Sequence, residues 1–128
     1  MMRALGGIAL CGAFLLGASS PARADPPHPR VQLKIVDAIK DGETKTAWLH
    51  CGPVGGSHPH ARAACHLLHK VKGHPERLNV TPDAVCTKEL QPHAVVVAGR
   101  WHGRTVNWAK VFGNGCMMKA AVGSLLSL

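Results

Sequence analysis

Val31, Leu33 and Ile35 alternate with Gln32 and Lys34. That is the two-residue period of a strand with one face buried. Asp41-Gly42 is a strong hairpin-turn signal, and Thr44 to His50 predicts the returning strand, with Trp48 and Cys51 beginning the core. Gly52-Pro53-Val54-Gly55-Gly56 interrupts regular structure, and beyond it the period changes. Ala61, Ala64, Cys65 and Leu68 fall at i, i+3, i+4 and i+7, one face of a helix. Ser57 or His58 is placed to cap it, Pro59 suits its first turn, and Gly73 and Pro75 end it. Ala94 to Val97 is a β-rich apolar run bounded by Gly99, and Gly99-Arg100-Trp101-His102-Gly103 reads as a turn. Arg104 to Trp108 alternates again, Gly113-Asn114-Gly115 breaks the chain before Cys116, and Leu125 and Leu126 predict a short closing strand. The pattern predicts an α+β domain, a mostly antiparallel sheet with one principal helix on a face.

The N-terminus does not share this pattern. Arg3 precedes an uncharged run of apolar and small residues from Ala4 to Ala18, then Ser19-Ser20-Pro21 breaks it and Ala22-Arg23-Ala24 offers a small-x-small cleavage site. This is the anatomy of a secretory signal over residues 1–24. Its apolar part is shorter than the roughly 20 residues a spanning helix needs, so no membrane role is expected. Asp25 to Arg30 is proline-rich and reads as a flexible arm, which leaves 31–128 as one domain.

Export changes the cysteine count. Removing 24 of the 128 residues leaves 104, and Cys11 leaves with them, so five cysteines become four. An even set in a small secreted chain argues for two disulfides, and four cysteines admit three pairings. No Cys-x2–4-Cys pair exists, so the spacing is not that of a zinc site.

Charge and histidines add less. The formal net charge is +8, but the basic residues are scattered in runs no longer than two and accompany no nucleic-acid motif. The excess is read as solubilising, with no nucleic acid as partner. Nine histidines raise a second possibility, a basic metal- or surface-binding module. His66 and His69 lie three apart on the predicted helix, and His58 and His60 flank Pro59. No carboxylate or cysteine completes a ligand set around them, so neither metal nor cofactor is expected, and His58 reads as a loop or cap residue. An enzyme built on a Cys–His pair would need a free thiol, which two disulfides remove.

The segment that stands out is Cys86-Thr87-Lys88-Glu89-Leu90-Gln91-Pro92. A cysteine before Lys88 and a proline after it are the means to hold one displayed side chain in a rigid loop. Around it, Leu49-His50-Cys51-Gly52-Pro53, Gly56-Ser57-His58-Pro59, Ala64-Cys65-His66-Leu67, Gly99-Arg100-Trp101-His102-Gly103 and Val111-Phe112-Gly113-Asn114-Gly115-Cys116 resemble the Streptomyces subtilisin inhibitor family. The resemblance runs from the first strand to the C-terminus. It implies a secreted inhibitor with no catalysis of its own, a five-stranded antiparallel sheet, one main and one short helix, and a homodimer. It further implies the pairings Cys51–Cys65 and Cys86–Cys116, and a reactive bond at Lys88–Glu89 in a protease-contacting loop Cys86, Thr87, Lys88, Glu89, Leu90 and Gln91.

In this family's founding member a methionine stands at the primary specificity position and a proline just before it, where this chain has Lys88 and Thr87. A lysine selects a pocket with an acid at its base, as in trypsin. Trypsin-like serine proteases are therefore the expected partners, with the roomier subtilisin-like pocket a second class.

Overall fold

The computed structural model describes residues 28–128. The predicted signal segment and the first residues of the arm lie outside the described residues. Arg30, the last residue assigned to that arm, is already tied in: its N–H donates to Gly52 O, and its carbonyl accepts from His102 N–H.

Four strands form one antiparallel sheet in the order β2-β1-β3-β4: β1 Val31–Ile39, β2 Thr44–Cys51, β3 His93–Trp101 and β4 Arg104–Phe112. Helix α1 spans Ala61–Lys70 and α2 spans Gly115–Val122, with short 3-10 turns at Pro75–Arg77 and Gly123–Leu126. The α+β class holds, but the described sheet has four strands, not five. The closing strand expected at Leu125 and Leu126 is the second 3-10 turn. Gly123, with φ 53°, ends α2 and reverses the chain, and both leucines are then buried in the helix layer. A strand would have turned one of them outward.

The hairpin turn at Asp41-Gly42 forms as expected. Strand β3 runs further than its sequence suggested, through Gly99 to Trp101, leaving only His102-Gly103 as the turn. Gly99 is a place where β1 approaches too closely for a side chain: a Cβ there would lie 2.0 Å from Gln32 O. The glycine that looked like a boundary is a strand residue. Trp48 also departs from expectation. Ala47, Leu49 and Cys51 carry the buried face of β2, and Trp48 points the other way, 45% exposed.

The core lies between one sheet face and the helices. Val31, Leu33, Ile35, Leu49, Val95 and Val97 meet Ala64, Leu68, Met118, Val122, Leu125 and Leu126. The predicted helix face is buried, but its cap is His60 rather than Ser57 or His58, and no side chain caps it. Ser57 Oγ instead accepts from Trp48 N–H. At the C-terminal end Gly73, φ 77°, donates to Leu68 O. A Cβ there would strike the Trp101 ring at 2.4 Å, so glycine both caps α1 and lets the buried indole pack. The opposite sheet face carries Val36, Ala38, Ala94, Val96, Ala98 and Ala109, half-buried or exposed.

His58 is buried and fastens the loop before α1 to the C-terminal turn. Its Nδ1 accepts from His60 N–H at 2.9 Å, so its Nε2–H donates to Leu125 O at 2.8 Å. Burial lowers its proton affinity below the ordinary value; the Leu125 carbonyl opposes this and nearby His60 adds to it. Since the unfolded chain binds that proton more readily, the stability His58 contributes is complete above about pH 6.5 and is lost as pH falls below it. Thermal melts should show Tm declining from pH 7 towards pH 5, with a flatter profile in His58→Gln. Equal slopes for the two proteins would remove His58 from this role.

Candidate functional site

Between the 3-10 turn at Pro75–Arg77 and β3, residues 78–92 form no helix or strand, yet they are tied at both ends. On the upstream limb, Val80 N–H donates to Ala121 O and Thr81 N–H to Ala120 O, both on α2. On the downstream limb, Gln91 N–H donates to Gly113 O, and Pro92 O accepts from Lys40 N–H at the β1–β2 turn. The two limbs are thus moored to different elements of one rigid frame.

Two further links hold the middle. Cys86 is bonded to Cys116 in the first turn of α2, and Cys51 to Cys65 between β2 and α1. These are the pairings the family resemblance implied. Each closes a loop long enough to stabilise the fold by roughly 2–4 kcal/mol. The second link comes from Asn114, which is buried. Its Nδ2 donates to Thr87 O at 3.0 Å and to Glu89 O at 2.8 Å. These are the carbonyls on either side of Lys88. Its Oδ1 meanwhile accepts from Met117 N–H, capping α2.

One side chain therefore starts a helix and clamps the loop. The Gly113-Asn114-Gly115 run that predicted only a break supplies this residue. An asparagine three residues before Met117 is a cap signal; α2 is the short helix the resemblance implied, which local pattern did not place because Gly115 and Cys116 disguise its first turn.

Between the anchors, Thr87, Lys88, Glu89, Leu90 and Gln91 are exposed and Cys86 is half-buried. The structure brings all six predicted loop residues into one protruding segment. Leu90 is 80% exposed and Val85 97%, apolar side chains that no described residue covers. The ion pairs among the described residues are His74–Glu76 and His93–Asp37, so Lys88 and Glu89 do not pair with each other. The lysine side chain stands exposed on a backbone held at both ends. All four described cysteines are in disulfides, so none of them offers a free thiol.

A profile of the subtilisin inhibitor-like family matches residues 31–114, from the first strand through Asn114. The chain belongs to the subtilisin inhibitor-like family. Members of this family are protease inhibitors, not enzymes. A subtilisin inhibitor of Streptomyces violaceus is 37% identical over 135 residues, covering 95% of this chain and 92% of that protein. A subtilase-type protease inhibitor of Streptomyces coelicolor is 34% identical over 129 residues, covering 93% and 88%. Among solved structures, Streptomyces caespitosus sermetstatin, crystallised in complex with Bacillus licheniformis subtilisin, superposes with a TM-score of 0.63 at 28% identity. That match covers 76% of this chain and 97% of sermetstatin.

The histidines do not assemble into a metal centre. Among the described residues no three of His, Cys, Asp and Glu converge on one point. His66 and His69 are exposed on α1, and the His69 ring packs edge-on against Trp101 with centroids 5.0 Å apart. The metal-binding alternative is not favoured.

Proposed function

We propose that this protein is a secreted serine-protease inhibitor that offers the Lys88–Glu89 bond to its target as a substrate. The observation that carries this reading is the Asn114 amide, bonded to the carbonyls of Thr87 and Glu89 on both sides of exposed Lys88. A protease cleft accepts an extended chain, and hydrolysis requires the new ends to separate. Here the carbonyl clamp and the Cys86–Cys116 bond both oppose separation. Preorganisation also reduces the entropy lost on docking. Cleavage at Lys88–Glu89 would fall within the ring closed by Cys86 and Cys116, so both ends would stay in place for religation.

Trypsin-like proteases, with an acid at the base of the primary pocket, are the expected targets because the ammonium of Lys88 finds a charged partner there. The complex of sermetstatin with subtilisin makes subtilisin-like proteases a second class for this chain. The test is a titration of each protease with the purified mature protein. Residual activity should fall linearly to an end point near one inhibitor site per protease. If neither activity declines, the proposal is wrong.

The family resemblance also implies a homodimer, and the uncovered sheet face supports it. Val36 and Val96 face each other across β1 and β3, with Ala38, Ala94 and Ala109 around them. Stacking two such faces would remove this apolar strip from water. Sedimentation velocity should give a dimer that Val96→Glu converts to monomer. A wild-type monomer at all concentrations would exclude it.

A further inference from the structure

Basic residues that lie scattered along the sequence are gathered by the fold at one end of the sheet. Trp101 closes β3 and pairs with Arg104 across the turn His102-Gly103. Arg104 Nη2 donates to Lys72 O at 2.8 Å, which ties this turn to the chain leaving α1. Arg100 Nη1 donates to Thr105 Oγ1 at 3.1 Å, and Arg30 O accepts from His102 N–H. The rings of His69 and His102 both pack against Trp101, with centroids 5.0 and 5.3 Å away. Arg30, Lys70, Lys72, Arg100 and Arg104 are all exposed. None of these five cations enters an ion pair among the described residues.

The described acids lie elsewhere or are already paired. Asp37 is on the far half of β1, Asp41 and Glu43 flank Gly42 in the β1–β2 turn, and Asp83 and Glu89 belong to the loop segment. The remaining one, Glu76, pairs with His74. At the loop end those five acids meet Lys40, Lys45, Lys88, Lys110 and Lys119, and the charges cancel. The positive excess therefore sits at the β3–β4 turn. Strand β3, nine residues long, separates the two ends. That is about 27 Å, well beyond the roughly 8 Å over which physiological salt screens a charge. An excess that only solubilises needs no such segregation. The negative end of α1 accounts for Lys70 and His69, but not for cations carried by the strands and their turns.

We infer that this end of the sheet docks a linear polymer bearing phosphate or sulfate groups, held by Arg30, Lys70, Lys72, Arg100 and Arg104. Guanidinium forks suit tetrahedral oxyanions. One nitrogen of Arg100 and one of Arg104 are already bonded to the protein, so both groups are partly fixed before docking and keep further N–H donors. A polymer fits better than a single ion, because the five cations stand on separate segments: the approach to β1, the end of α1, β3 and β4. A molecule held there would turn its loop away from the polymer. The assignment does not rest on the inhibitory reading, since the loop contributes no residue to it.

The test measures binding of the mature protein, with no protease present, to long-chain polyphosphate and to heparin across a salt series. At least one polymer should bind, and the tighter one shows whether phosphate or sulfate is read. Affinity should fall with salt at a logarithmic slope of about 3 or more, as expected for several ionic contacts. The triple variant Lys70→Gln/Lys72→Gln/Arg100→Gln should raise the dissociation constant about tenfold or more and flatten that slope by about 2. The control Lys40→Gln/Lys110→Gln/Lys119→Gln removes equal charge at the loop end and should stay within about twofold of wild type. Equal weakening by the two triple variants would leave only net charge and overturn the assignment, as would a wild-type slope near zero. A duplex oligonucleotide that binds more tightly than either polymer would overturn it too.

Discussion

Lys88→Glu should abolish inhibition of trypsin while leaving the fold intact. The side chain is exposed and forms no ion pair among the described residues, so its replacement breaks no salt bridge there. In a trypsin-like pocket the new carboxylate would face the buried acid that the lysine ammonium was to neutralise. Removing one partner of a buried charged pair costs about 2–5 kcal/mol, and reversing its sign costs more. We expect affinity to fall by at least about 4 kcal/mol, on the order of a thousandfold. Inhibition constants for trypsin, measured beside thermal melts of both proteins, check this. A variant that inhibits as well as wild type would move the reactive bond elsewhere.

The second large effect is expected at Asn114, where two substitutions separate two roles. Asn114→Ala removes the helix cap, worth about 1 kcal/mol, and two hydrogen bonds to loop carbonyls, worth about 1 kcal/mol each. Stability should drop by about 2–3 kcal/mol, and the inhibitor should be consumed faster by its target. Asn114→Asp keeps an oxygen to accept Met117 N–H and suits a helix N-terminus, but it has no donor for Thr87 O or Glu89 O. It should keep the helix cap, lose about 2 kcal/mol of stability with the two carbonyl bonds, and be cleaved faster. Chromatography of inhibitor incubated with catalytic protease reads the nicked fraction over time. If Asn114→Asp resists cleavage like wild type, the carbonyl clamp is not what protects the bond.

Much of this architecture was legible because alternation and helical spacing report burial directly. Strand β1, its hairpin with β2, the buried face of α1 and the exposure of Lys88 all follow from local pattern. The failures have physical causes. Gly99 looked like a boundary because glycine is disfavoured inside strands, whereas here it admits the backbone of β1 at a distance no Cβ tolerates. Leu125 and Leu126 read as a strand because two apolar residues carry no period, and only their neighbours in the helix layer decide the matter. The loop's cysteine and proline were visible in sequence, but the Asn114 clamp was not. It joins residues 25 and 27 positions apart, and no local spacing announces a side chain that reaches back so far.

The contacts that moor the loop share a property: apart from the disulfide, they end on main-chain atoms of the loop. Thr87 O, Glu89 O, Gln91 N, Pro92 O, Val80 N and Thr81 N are all present whatever side chain the position carries. The frame thus reads conformation, not identity, and leaves the residues between Cys86 and Gln91 uncommitted to the protein's own stability. Such a scaffold is interchangeable at its tip. On the proposed function, exchanging Thr87, Lys88, Glu89 and Leu90 should re-address the molecule to another enzyme without a new fold. An arms race with shifting proteases can then be fought over four codons, with the rest of the gene held constant.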